Sequence, residues 1–211
     1  MTLFLLLLFP AASIWLISRD LLIQQMFIDL KNYFLFGILF FIPSFLFINI
    51  FTGFLGQTYT VLNIYLYYLF ADYFFFQLFS VLSCMLRFKN EMYRGLDEGI
   101  NHYFLFMAGF YTAFTFYSAI NSHHSLDFYN LFLKPFTLLL MAAYTSFFLA
   151  LKDSETGLLK YLFTIMIFIF PAISAFVPFF FYIRYPLFSL IVILVMAASG
   201  WFILHKNNFD I

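Results

Sequence analysis

Asp72 is the residue of this sequence whose chemistry most needs an explanation. It stands within YYLFADYFFFQLF, residues 67–79, where nearly every other side chain is aromatic or aliphatic. The apolar run around it, 59–86, is long enough to cross a membrane, which places the carboxyl group near the middle of the bilayer. An ionised aspartate at that depth costs about 3 kcal/mol, so one interpretation is an ion or proton site or an anchor for a cationic solute. The alternative is a protonated Asp72 that hydrogen-bonds tyrosines and holds helices together.

Hydroxyl and amide side chains recur at helical spacing on either side of Asp72. Tyr65 and Tyr68 precede it by seven and four positions, so a helix places all three on one stripe. An adjacent stripe carries a polar side chain or a thiol at each turn: Tyr73, Gln77, Ser80 and Cys84. A flank of this kind is expected to face protein or water rather than lipid. The predicted intramembrane polar site comprises Asp72, Tyr65, Tyr68, Tyr73 and Gln77.

Lys134 is the nearest candidate for a partner of Asp72, because it also falls within an apolar segment. It lies only about four residues inside the outer end of that segment, so it sits roughly 8–10 Å shallower than Asp72. We therefore expect its side chain to extend outward to the aqueous surface rather than to pair with Asp72. Pro135 suits the first turn of a helix, which agrees with an outer boundary at this point.

Neither a metal nor a cofactor is predicted. His123 and Asp127 are four residues apart, but a metal needs at least one further ligand, so an ordinary polar loop is expected there. The one cysteine, Cys84, excludes an internal disulfide. The last apolar segment has no lysine for a retinal Schiff base, Ser199 has no intramembrane histidine as its base, and the zinc-protease pattern His-Glu-x-x-His is absent.

The composition identifies the solvent of most of the chain as lipid. Of 211 residues, 65% are hydrophobic, 37 are Phe and only 9% are charged, and the mean hydropathy is +0.98. Soluble domains carry about 25% charged residues and cannot hide this much apolar surface. Ten basic and ten acidic residues balance without a basic block, which argues against nucleic acid as a partner.

Cutting the sequence at its charged and glycine-containing stretches predicts an all-α, polytopic transmembrane helix bundle. Residues 1–211 form a single integral membrane domain with about seven spans, or six if the first segment is not a span. A separate interfacial helix at 19–31 and a simple extension of the flanking helices are both open alternatives. The predicted spans are 2–18, 33–52, 59–86, 100–121, 130–151, 159–183 and 186–205.

The basic residues orient the bundle. Counted on alternate sides of the membrane, Lys134 and Arg184 fall on one side and the other eight fall on the opposite side. Because basic loops stay in the cytoplasm, the N-terminus is predicted outside and the C-terminus inside. A cleaved signal peptide at the start is not favoured, since a positive n-region is lacking.

Prolines and small residues predict how the helices bend and pack. Pro171 and Pro178 lie on one face of the sixth span, which we expect to be kinked. Gly109 and Ala113 have the small-xxx-small spacing that lets helices approach closely in lipid. Ala142 and Ser146, and the AASG stretch at 197–200, are further contact candidates.

The largest inner loop, 87–99, offers a possible docking surface for a cytosolic partner. Its predicted docking residues are Arg87, Lys89, Glu91 and Arg94. The alternative is a solvated loop that only sets the topology.

Three functional hypotheses follow. The first is a small permease or a membrane subunit of a transporter, with Asp72 on the path. The second is an accessory or assembly subunit of a membrane complex, with Asp72 structural. The third, an intramembrane enzyme acting on lipid, is least favoured because nucleophiles, bases and metal ligands do not cluster. The expected partners are the lipid bilayer and other membrane subunits, and the expected location is a bacterial inner (cell) membrane, with an organellar membrane as the lesser alternative.

Overall fold

The protein is helical throughout the part of the chain that its computed structural model describes, residues 27–53, 60–89, 96–121 and 128–206. The prediction of an all-α fold is therefore confirmed for these residues. The predicted first span, 2–18, and most of the predicted interfacial helix, 19–31, lie outside them. Residues 27–31 continue directly into the next helix. The helices are α1 (Phe27–Gly53), α2 (Val61–Phe88), α3 (Leu96–Asn121), α4 (Lys134–Ser154), α5 (Leu158–Tyr182) and α6 (Pro186–Lys206).

Three of these helices are long and apolar enough to cross a membrane by length and composition: α2, α4 and α5. Two shorter apolar stretches lie within α1 and α6, at Asn32–Leu46 and Pro186–Ser199. The chain is thus a membrane protein with transmembrane helices. Its exposed surface agrees, since Leu158, Leu187 and Leu194 on α5 and α6 are 67–81% exposed. A surface of this kind is stable in contact with lipid chains rather than water.

The core lies among α1, α2, α3 and α4 and consists largely of aromatic side chains. Phe76 of α2 stacks on Phe114 of α3 with ring centroids 3.5 Å apart, and Phe41 of α1 meets the edge of Phe110. Aromatic rings fill the space between helices without needing polar partners, and offset or edge contacts between them add to the dispersion energy. The high Phe content therefore serves the interior as well as the lipid-facing surface.

Two glycines bring α1 and α3 into backbone contact. A Cβ atom on Gly37 would lie 2.9 Å from the amide nitrogen of Phe110 and closer still to the carbonyl oxygen of Phe106. A Cβ atom on Gly109 would overlap the backbone of Phe34 in the same way. Gly109 was predicted as a helix contact, whereas Gly37 has no partner at small-xxx-small spacing. Only glycine at both positions permits this approach of the two helices.

Two helices contain a π-helical turn close to a charged residue. Leu69–Phe74 widens α2 around Asp72, and Tyr129–Leu133 leads into α4 just before Lys134. The backbone amide of Lys134 bonds to the carbonyl of Tyr129, five residues back. Pro135 gives a physical reason for this turn, because its ring would clash with a carbonyl four residues back in a regular helix. Pro135 lies in the first turn of α4, as predicted, and the π-helical turn precedes it.

Helix α5 is interrupted at Ala175, between its two prolines. Pro178 has no amide hydrogen for the carbonyl of Ser174, so the regular ladder of bonds cannot continue across this point. Hydroxyl groups bind neighbouring carbonyls instead: Tyr65 of α2 donates to Ala172, and Ser189 of α6 donates to Val177. The break is thereby tied to two other helices.

Replacing Gly37 or Gly109 by valine is expected to destabilise the protein by about 1–3 kcal/mol, because α1 and α3 have to move apart. Unfolding of the purified protein in a titration from mild detergent into SDS measures the change. Ala198→Val, at an exposed position of α6, is the matched control and should have little effect. Equal sensitivity of Ala198 and Gly109 would contradict a backbone contact between α1 and α3.

Candidate functional site

Asp72 of α2 forms an ion pair with Lys134 of α4. The lysine Nζ donates to Asp72 Oδ1 at 3.1 Å and to the hydroxyl of Ser118, on α3, at 3.0 Å. It also lies 4.6 Å from the centre of the Phe114 ring. The lysine side chain is 5% exposed and the aspartate side chain 18%. The expectation that Lys134 extends outward to the aqueous surface is therefore wrong.

Electrostatics explains why the lysine turns inward. A lone aspartate inside a bilayer costs about 3 kcal/mol. Two opposite unit charges about 4 Å apart attract by roughly 4 kcal/mol at an effective dielectric constant of about 20. The attraction thus offsets the cost of burying Asp72, and the hydroxyl of Ser118 and the ring of Phe114 contribute toward the similar cost of burying Lys134. The long aliphatic stem of Lys134 lets its ammonium group reach Asp72. The sequence estimate compared only backbone depths, so it underestimated the reach of this side chain.

The predicted tyrosines do not share one role. Tyr65 binds the carbonyl of Ala172 at 3.0 Å and so holds α5 rather than Asp72. Tyr68 stacks on Tyr182 of α5, with ring centroids 5.2 Å apart and planes only 3° from parallel. The Tyr73 hydroxyl lies 2.9 Å from the hydroxyl of Tyr129, just before α4. Tyr73 is fully buried, as expected for a polar flank that faces other helices.

Gln77 belongs to a second polar cluster, one helical turn beyond Tyr73. Its amide oxygen accepts a hydrogen bond from the hydroxyl of Tyr111 on α3, and its amide nitrogen donates to Thr145 on α4. Ser80 lies 3.2 Å from the same tyrosine hydroxyl. All four side chains are fully buried. Because its polar groups are satisfied among themselves, this cluster fixes how α2, α3 and α4 fit together.

The sequence did not reveal several residues that complete the surroundings of Asp72. Two of them, Ser118 and Phe114, lie on α3. Tyr129 lies in the π-helical turn before α4, and Tyr182 lies on α5. No fixed spacing along one helix links them to Asp72. The one available signal was the presence of two opposite charges in apolar segments of the same bundle. Charges of this kind generally pair inside a helix bundle, even when their backbone positions differ in depth.

The structure describes the two ends of the predicted docking loop: residues 87–89, at the end of α2, and residues 96–99, at the start of α3. The guanidinium of Arg87 lies over the rings of Phe36 and Phe88, at 4.8 and 5.5 Å from their centres. Cation–π contacts of this kind attach the end of α2 to α1. Lys89 is exposed, whereas Glu91 and Arg94 lie outside the described residues.

Among the residues that the structure describes, no three His, Cys, Asp or Glu side chains are placed to hold a metal ion. His123 and Asp127, for which a polar loop was expected, lie outside them. Comparisons of the sequence and structure with protein-family models, with curated proteins and with solved structures gave no match.

Breaking the ion pair from one side is expected to be costly, because the remaining charge stays buried without a partner. Asp72→Asn or Lys134→Met alone should lower the free energy of unfolding by about 3–5 kcal/mol, and the double variant should recover most of that loss. Thermal unfolding of the purified variants, analysed as a double-mutant cycle, measures the coupling between the two residues.

Lys152 and Asp153 provide the matched control for this cycle. They lie 3.3 Å apart near the end of α4, and the Asp153 side chain is 42% exposed. The Lys152 side chain is only 8% exposed, but Asp153 stays in contact with solvent, which screens the pair. Coupling between them should therefore stay within about 1 kcal/mol. If the coupling between Asp72 and Lys134 is equally small, the buried pair does not hold the helices together.

Proposed function

We propose that the chain is a transport component of a membrane, either a small permease or a membrane subunit of a transporter, with Asp72 on the transport path. The observation that supports this proposal is the ion pair between Asp72 and Lys134 inside an apolar helix bundle. Ionisable residues within membrane spans characteristically serve ion paths and proton relays.

The contacts of Lys134 show what a change of charge at Asp72 would affect. A proton taken up by Asp72 would remove the attraction for Lys134, whose ammonium would keep only Ser118 and the face of Phe114. That change would act directly on the contacts that join α2, α3 and α4. The π-helical turn around Asp72 adds to the argument, because such turns occur frequently at functional sites.

The proposal includes the full topology predicted from the sequence. It has seven spans, the N-terminus outside, the C-terminus inside, and the loops 87–99 and 152–157 in the cytosol. This arrangement is supported by the distribution of Lys and Arg and by the three apolar helices α2, α4 and α5. A bacterial inner membrane is the proposed location, and the loop at 87–99 is the proposed contact for a cytosolic partner.

A second candidate function is that of an accessory or assembly subunit, in which the ion pair is structural. The observation in its favour is the complete coordination of Lys134, whose ammonium contacts Asp72, Ser118 and the ring of Phe114 at only 5% exposure. A pair that joins three helices in this way can specify their packing without moving.

The topology predicts which positions an impermeant thiol reagent labels in intact cells. In a Cys84→Ser background, Ser125→Cys and Tyr185→Cys should react, whereas Lys89→Cys and Ser154→Cys should react only after the membrane is opened. Lys89, Ser154 and Tyr185 are exposed side chains, so access to the compartment decides the result. The opposite pattern would invert the proposed orientation.

Proton uptake into liposomes tests the transport function directly. Liposomes that contain the protein and a trapped pH-sensitive dye are energised by a potassium diffusion potential, negative inside. The wild-type protein should acidify them faster than protein-free liposomes do. The double variant Asp72→Asn with Lys134→Met should fall to the protein-free rate, because it keeps a neutral, packed site but cannot carry a proton at Asp72.

The corresponding double variant at Lys152 and Asp153 is the control and should keep the wild-type rate. Equal rates for wild-type protein and protein-free liposomes would contradict a proton path. Wild-type uptake that survives in the variant neutralised at Asp72 and Lys134 would move the path elsewhere and favour a structural ion pair.

A further inference from the structure

Five tyrosines from three parts of the chain form a continuous arc beside Asp72, which we call the tyrosine arc: Tyr67, Tyr68, Tyr182, Tyr129 and Tyr73. The rings of Tyr67 and Tyr68 meet edge to face at 5.5 Å, and Tyr68 stacks on Tyr182 at 5.2 Å. Tyr182 meets the ring of Tyr129 at 5.6 Å, and Tyr129 reaches the hydroxyl of Tyr73 at 2.9 Å. The arc thus ends on the residue that follows Asp72 in the sequence.

The tyrosine arc has both exposed and buried members. Tyr67 and Tyr182 are 41% and 39% exposed, whereas Tyr129 and Tyr73 are 1% and 0% exposed. Tyr67 and Tyr68 precede Asp72 on α2 by five and four residues, so the arc begins within about one and a half helical turns of the carboxylate. Aromatic faces and hydroxyls therefore lead from the surface to a carboxylate, which is the combination by which proteins attract and hold organic cations.

An ammonium group already occupies the inner end of this arrangement. The ammonium group of Lys134 donates to the carboxylate of Asp72 and to the hydroxyl of Ser118, and it lies over the ring of Phe114. The Lys134 side chain is only 5% exposed, whereas the Asp72 side chain is 18% exposed. The accessible part of the ion pair is therefore mainly the carboxylate. Within the described residues, Asp72 accepts no hydrogen bond besides the one from Lys134. A second ammonium group can therefore approach Asp72 from the tyrosine arc.

We propose that Asp72 and the tyrosine arc bind a primary organic ammonium ion, which competes with Lys134 for the carboxylate. This inference rests on the proposed function, in that it names the class of solute carried along the path at Asp72. A primary ammonium is specified because the contacts of Lys134 to Asp72 and Ser118 both use N–H donors. A quaternary ammonium of the same charge has none to offer.

Calorimetric titration of the protein in lipid nanodiscs with n-butylammonium tests this site. The ionic strength is held constant by replacing sodium chloride, and tetramethylammonium serves as the probe without N–H donors. The wild-type protein should bind n-butylammonium saturably and tetramethylammonium more weakly. Asp72→Asn should abolish binding, and Tyr68→Leu should weaken it by about tenfold, as expected for the loss of a cation–π contact. Tyr161→Leu, at a tyrosine that is 73% exposed near the start of α5, is the matched control and should bind as wild type does.

Lys134→Met gives a readout that a purely structural role would not produce. Removing the internal competitor should raise the affinity for n-butylammonium above that of the wild type, and the bound ion should raise the thermal stability of this variant. No saturable binding to the wild-type protein would overturn the inference. So would equal binding of the two ammonium probes, or a folded Lys134→Met variant that binds no more tightly than wild type.

Binding and transport are measured separately, so the two proposals fail separately. Saturable binding of n-butylammonium without proton uptake in liposomes would support the site and count against the transport function. Proton uptake without ammonium binding would overturn the site and leave the proposed function in place.

Discussion

The attraction between Asp72 and Lys134 governs the arrangement of the helices around it. Each charge alone would be costly inside an apolar bundle, and each is tolerated because the other lies 3.1 Å away. Meeting this condition brings α2 and α4 together, and the hydroxyl of Ser118 adds α3 to the same point. A π-helical turn surrounds Asp72, and another, for which Pro135 gives the physical reason, ends just before Lys134. The ion pair thus connects the local backbone geometry to the packing of three helices and to the proposed transport function.

Other contacts hold the remaining helices in place. Glycine contacts at Gly37 and Gly109 attach α1 to α3 by close approach of the backbones, which replaces the hydrophobic effect as a source of association in lipid. The cluster around Gln77 is buried and internally satisfied, so it fixes the register of three helices. The interruption of α5 at Ala175 is held by hydroxyls from α2 and α6. Asp72 differs from the groups in these contacts because it carries a charge and its side chain is 18% exposed.

The structure places the predicted site residues in several separate contacts, and it contradicts the expected position of Lys134. Burial of Tyr73 and Gln77 followed from their spacing along one helix, since residues three or four apart share a face. The spacing could not show that Tyr65 binds α5 or that Gln77 belongs to a separate cluster, because both facts depend on neighbouring helices. The error on Lys134 has a different cause. Depth was judged from the backbone, whereas the position of a long, flexible side chain depends on the strongest attraction within its reach.

The sequence by itself determined that this chain is a helical membrane protein and where most of the described helices lie. Those properties depend on local composition: long apolar runs can only be helical in lipid, because every backbone polar group has to be satisfied within its own segment. The tertiary structure alone decided the pairing of Asp72 with Lys134, the tyrosine arc and the backbone contact of α1 with α3 at Gly37 and at Gly109. Each of these joins residues that are far apart in the sequence, and which faces meet depends on how whole helices pack against one another.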